Sequence, residues 1–158
     1  MPIEVLEERA VSAIVKYLKD TLPDMLARLE AERPDIDLPM FKKIEDEYID
    51  PNSVMNDELP FACVFVDDSE DETKDRALDM NTCSVRIMSL YKGRLASKKT
   101  YRYNAAIREV IQGNRSIGAP RCRATVLKRM YYTPIMRGNI EVRVAETYLE
   151  VKMEVERR

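Results

Sequence analysis

The chain of 158 residues has the length of one ordinary domain, and its 45% apolar and 34% charged residues describe a folding chain with a densely ionic surface, not a disordered one. It contains no histidine, which removes the commonest general base at neutral pH, the Ser-His and Cys-His nucleophile pairs and most transition-metal sites, and it has only four glycines, with no phosphate-binding loop. The net charge of −2 hides a division: residues 1–83 carry 22 acids and 9 bases (−13), residues 84–137 carry 1 acid and 13 bases (+12), and residues 138–158 carry 5 acids and 4 bases (−1).

Charge divided on this scale points to a partner of opposite sign, which can be another copy of the chain, or to a fold that interleaves the segments and cancels the charge within one molecule. The N-terminal run MPIEVLEERAV places acids where a signal peptide has a basic start, and no window reaches the apolar length of a membrane span. The chain is therefore expected to stay in the compartment where it is made, as a single domain over residues 1–158.

Val11, Ile14, Leu18, Leu22, Met25 and Leu29 recur at three- and four-residue steps with charges between them, which predicts a helix from Ile3 to Glu32. Pro23 removes one helical hydrogen bond and crowds the preceding turn, so this helix is expected to be kinked or in two parts. From Arg33 to Pro60 the periodicity stops. Pro34, Pro39, Pro51 and Pro60 punctuate a connection anchored only by Phe41, Ile44, Tyr48 and Ile49. Such a stretch, residues 33–60, is either a binding arm or a segment that packs over the core through its aromatics.

Phe61 to Val66 is a nearly continuous apolar run bounded by Pro60 and Asp67, the pattern of a strand buried on both faces. The acidic residues from Asp67 to Asp75 lack the glycine and ligand spacing of a calcium loop and are expected to form a solvated turn. Asp79 to Tyr91, with Cys83, Val85, Ile87 and Tyr91 on one parity, predicts a second strand antiparallel to the first. Past Gly93, Ser97 is placed to cap a helix from Lys98 to Gln112 that Gly113 ends. Thr100, Tyr103, Ile107, Val110 and Ile111 form its inner face, and Lys98, Lys99, Arg102 and Arg108 lie off that face. Two long strands follow, Arg121 to Thr133 and Ile140 to Val155, joined through a turn at Gly138-Asn139. In the last strand Ile140, Val142 and Val144 are apolar on even positions, whereas Leu149, Val151, Met153 and Val155 are apolar on odd ones. Side chains alternate faces along a strand, so the buried face must switch near Ala145 to Tyr148, by a bulge, a bend or a second apolar surface.

Cys63, Cys83 and Cys122 are far apart and each falls in an apolar run, which predicts buried free thiols, neither a disulfide framework nor a zinc site. The best catalytic constellation is Glu150-Val151-Lys152 with Asp67, which has the residue types of a metal-dependent nuclease: carboxylates for magnesium and a lysine for the attacking water. Alternating Glu and Lys on the outer face of a strand has the same pattern without any chemistry.

The order of elements, α-β-β-α-β-β, with Tyr101-Arg102-Tyr103-Asn104-Ala105-Ala106-Ile107 in the second helix and Tyr131-Tyr132-Thr133-Pro134 ending the next strand, resembles the tail-terminator and tail-completion proteins of long-tailed bacteriophages and prophages. That resemblance implies an α+β fold, a small and mostly antiparallel sheet flanked by a long N-terminal helix and a second helix. It also implies a hexameric ring that caps the tail tube, with the tail tube protein and the head connector protein as partners and DNA at most passing through. It brings no enzymatic residues, cofactor, metal or membrane, and it places the protein in the host cytoplasm during assembly and then at the head–tail junction of the virion. A ring subunit must offer two different faces to its two neighbours, and the divided charge suits that need. The expected basic side is Lys98, Lys99, Arg102 and Arg108, and the acidic side is Asp67, Asp68, Glu70, Asp71 and Glu72. Two other readings stand beside it: a nucleic-acid-binding module whose residues 84–137 contact phosphates, and a metal-dependent nuclease.

Overall fold

The computed structural model describes residues 3–73 and 79–155. The first helix, α1 (Leu6–Glu32), buries Ala10, Val11, Ile14, Val15, Leu18, Leu22 and Leu26 in one stripe at helical spacing. It runs through Pro23 as one element, so the expected division into two parts does not occur. A mid-helix proline costs about 3 kcal/mol, while burial of each large aliphatic side chain is favourable by about 1.5–3 kcal/mol. Leu18, Leu22 and Leu26 flank Pro23 and are almost wholly buried, so the stripe outweighs the break.

Residues 33–60 pack over the core instead of extending as an arm. Ile36, Leu38, Phe41 and Ile44 enter the main core beneath the helices, whereas Val54 and Leu59 enter a second cluster on the other face of the sheet. The segment thus wraps round the edge of the sheet. It carries a three-residue strand, β1 (Lys43–Glu45), that is too short to show in the sequence pattern, and two 3-10 turns at Pro51–Ser53 and Asn56–Glu58. Asp50 caps the first of these by accepting the Asn52 N–H at 2.9 Å. Phe41 stands 5.3 Å from Tyr103 and 6.0 Å from Tyr91, centroid to centroid, which ties the segment to the core.

The chain continues through β2 (Phe61–Thr73), β3 (Asp79–Lys92), α2 (Ala96–Gly113), β4 (Cys122–Arg137) and β5 (Ile140–Val155). The fold is α+β, as expected, but the sheet has five strands in the order β1-β2-β3-β5-β4, all antiparallel except β1 with β2. The acidic run after Val66 is not a turn. β2 continues through it to Thr73, paired with β3 as far as Asp79, with Asp67 as the extra residue of a bulge between Val66 and Asp68. Residues 74 and 75 of the expected turn lie outside the described residues. Backbone pairing with β3 carries this half of the strand, and solvent exposure along the sheet edge removes the cost of its charges. α2 begins from Leu95 in the left-handed region (φ 66°) with no side-chain cap, two residues before the expected start, so Ser97 is not the cap. β4 runs on to Arg137, which leaves Gly138 (φ 60°) and Asn139 as the hairpin turn.

β5 pairs with β3 from Val155 to Val142 without any register shift, so the expected irregularity near Ala145 to Tyr148 is absent. Both sets of apolar residues are nevertheless covered, because each face of the sheet has its own layer. Leu149, Val151 and Met153 lie in the core beneath α1 and α2. Val142 and Val144 pack with Phe61, Cys63, Met88 and Leu90 against Val54 and Leu59 on the opposite face. Ile140, expected with them, is 40% exposed at the hairpin. Arg137 clamps the covering segment down: its guanidinium donates to the carbonyls of Pro51 and Val54 and to Asn56 Oδ1.

Candidate functional site

The strand order sorts the charge that the sequence divides. β1 and β2 end the sheet on one side with Asp67, Asp68, Glu70, Asp71 and Glu72, and α1 lies over that side, where Ser69 donates to Glu7 at 2.6 Å and lowers its pKa. β4 ends the sheet on the other side with Arg123, Lys128 and Arg129, and α2 lies over it, through Tyr101 against Tyr132 and Arg108 against Met130. Internal cancellation is partial. Arg86 bridges to Asp67 (2.7 and 3.1 Å) and Glu146 (3.3 Å), and Arg102 pairs bidentately with Asp35 (2.7 and 3.1 Å). Asp68 and Glu70 are exposed and make no ion pair with a described residue. The molecule is therefore polar from edge to edge.

Beyond its three pairs with β1, β2 has no strand partner on its outer side among the described residues, and β4 has none at all on its outer side. Both edges carry devices that disfavour further backbone pairing. β2 has the bulge at Asp67, and β4 has bulges at Arg123 and Lys128 and a proline at 134.

One row of side chains crosses the open face of the sheet from edge to edge. Phe65, Arg86, Tyr148 and Arg129 are successive partners on β2, β3, β5 and β4. The Arg86 guanidinium lies 5.2 Å from the Phe65 ring and 4.8 Å from that of Tyr148, and Arg129 lies 4.9 Å from both Tyr148 and Tyr131. At the acidic end Tyr48 meets Phe65 edge-on at 5.2 Å. Beside that contact is an open cleft of about 530 Å3, rimmed by Glu7, Glu8, Asp46 and Glu47, with Val11 and Tyr48 among its lining.

The sequence-predicted basic residues are not gathered into one face. Arg108 stands beside β4, but Arg102 is turned to Asp35 and holds that carboxyl below its usual range, with Lys98 nearby, and Lys99 donates to the Lys92 carbonyl at 3.3 Å. The predicted acidic residues do share one edge. Arg123, Lys128, Arg129, Asp46, Glu47 and Tyr48 were not singled out from the sequence. The signal available for the first three was the cluster of bases interrupting the alternation of β4. For the last three there was none, since their place depends on how residues 33–60 wrap.

The nuclease constellation does not assemble. Arg86 occupies the Asp67 carboxylate, Lys128 lies 3.5 Å from Glu150, and no group of three carboxylates or thiols among the described residues is placed to hold a metal ion. All three cysteines are buried and free. Burial raises each thiol pKa, that of Cys83 to about 11 with help from the nearby Glu7, Asp71 and Asp68 carboxylates. No described helix is long and apolar enough to cross a membrane.

These features define an α+β protein whose two sheet edges carry opposite charge and whose described residues present no catalytic cluster. No protein family matches the chain, and no curated protein does. Among solved structures it is similar to a chain of the virion of a native gene transfer agent particle, at 12% identity over 87% of this chain and 95% of that one, with a TM-score of 0.47.

Proposed function

We propose that the protein is a non-enzymatic virion assembly component, a tail terminator that closes as a ring on the end of a phage-type tail tube and presents a surface to the head connector. The observation that carries this reading is the edge-to-edge polarity of the subunit. A ring is built from one contact between two unlike surfaces, and an acidic edge facing a basic edge fixes the direction of joining and rejects like-facing pairs. The resemblance of the element order and of the 101–107 and 131–134 segments to tail terminators supports the same reading. Asp67, Asp68, Glu70, Asp71 and Glu72 then belong to the acidic contact, and Arg108 with the bases of β4 to the basic one. Lys98, Lys99 and Arg102, near residues 33–42, suit a surface for the tube or the connector.

Light scattering and negative-stain micrographs of the purified protein, alone and with tail tube protein, test the proposal. Closed rings that fall apart as salt rises are expected. Monomers alone at high concentration with tube protein present would sink it.

A second reading is favoured by Arg129 held between two tyrosine rings beside Lys128 and Arg123, an arrangement that also suits a single-stranded nucleic acid. It predicts tight DNA binding with a steep salt slope whether or not rings form. The assembly reading predicts weak DNA binding, and intact DNA after incubation with magnesium or manganese. Cleavage that disappears in Lys152→Ala would establish the nuclease instead.

A further inference from the structure

The ring reading leaves open which surfaces meet, and the following inference rests on it. We infer that the β4 edge of one copy seats in the acidic cleft beside β2 of the next, with Arg129 between the carboxylates of Asp46 and Glu47 and against the Tyr48 ring.

Three observations converge on this pairing. The first is chemistry. The cleft has four carboxylates on its rim and aromatic and aliphatic side chains within it, which is what a guanidinium needs: charge partners for its N–H donors and an apolar surface for its flat face. Arg129 offers the complement. It is exposed, flanked by the rings of Tyr148 and Tyr131, and makes no ion pair with a described residue, so its donors point to no carboxylate within its own chain. Lys128 and Tyr131 flank it on the same edge.

The second is height. Phe65, which lines the cleft, and Arg129 are the two ends of one row across the sheet, through Arg86 and Tyr148. Donor and acceptor thus lie at the same level on opposite sides of the subunit. A contact between equal levels carries each new copy sideways without a rise, so repetition about an axis closes a ring, whereas a step in level would wind a filament.

The third is the blunting of both edges. The bulges at Asp67, Arg123 and Lys128 and the proline in β4 interrupt the backbone donors and acceptors that a continuous inter-copy sheet requires. The copies therefore meet through side chains, and the contact is sensitive to charge and salt.

Two charge-reversed variants test the contact. Asp46→Lys/Glu47→Lys converts the cleft to basic, and Lys128→Glu/Arg129→Glu converts the β4 edge to acidic. Each variant alone then opposes like charges at every contact, whereas a mixture alternates complementary ones. Sedimentation velocity is expected to show association of each variant alone weakened about tenfold or more, and association restored in the equimolar mixture. Restoration also shows that both variants are folded. Wild-type-like association of each variant alone, or no recovery in the mixture, would overturn the inference while leaving the ring reading standing. For a wild type that is monomeric in solution, the readout is oxidative trapping of Glu47→Cys mixed with Arg129→Cys. A mixed disulfide dimer in several-fold excess over either variant alone supports the contact, and equal yields overturn it. Failure of the ring reading itself shows separately, as absence of rings on tail tubes.

Discussion

Burial decides the behaviour of individual side chains here more than local sequence does. Cys83 is wholly buried, and its thiol is pushed up to about 11 by desolvation and by the Glu7, Asp71 and Asp68 carboxylates. A folded-state pKa above the unfolded value means that the folded protein holds the proton longer. The resulting stability is fully present below the unfolded pKa of about 8.5 and is lost as pH rises through about 11. Urea unfolding across this alkaline range is expected to show falling stability, with a shallower fall in Cys83→Ala. An equal slope in the variant would assign the fall to other groups. In the native protein at neutral pH the three thiols are expected to resist alkylation, and all three should react once urea unfolds the chain. Arg86 is the other residue whose role depends on its surroundings. Removing it in Arg86→Met leaves Asp67 and Glu146 facing two rings without their cation, and a loss of about 1–3 kcal/mol is expected in thermal unfolding.

At the scale of elements, α1 and the two faces of the sheet show how tertiary burial overrides local rules. Pro23 sits in a helix that is held whole by the Leu18, Leu22 and Leu26 stripe. Pro23→Ala is therefore expected to stabilise the protein, by up to about 3 kcal/mol in denaturant unfolding. A loss of stability would show that the proline is needed for the path of the helix over the sheet. Each predicted helix and strand is present, because the 3.6- and 2-residue apolar periods directly express which face of an element is covered. The errors fall where that period carries no information. β1 has three residues, and the second half of β2 is acidic on both faces, since neither face of that stretch is buried. β5 reads as irregular because its two halves bury opposite faces. The strand itself is regular, and what changes along it is the layer on each side.

At the scale of the whole molecule, a chain that is −13, +12 and −1 along its length becomes a subunit with an acidic edge and a basic edge. Contacts built on such edges should weaken with ionic strength. Self-association measured from low salt to 1 M, where the Debye length falls to about 3 Å, is expected to drop steadily, and association that strengthens with salt would point to an apolar interface instead. The sequence by itself determined the element types, the buried thiols, the absence of histidine chemistry and the division of charge, because each is written in composition or in a short apolar period. Only the tertiary structure decided whether the charges cancel. Sequence segments of opposite sign can be interleaved or separated by strand order alone. Here the order β1-β2-β3-β5-β4 puts the acidic and basic strands at opposite ends of the sheet. The cleft of Glu7, Glu8, Asp46 and Glu47 was equally beyond the sequence, since it joins the start of α1 to a wrapped segment whose path is set by where Phe41, Ile44, Val54 and Leu59 find burial.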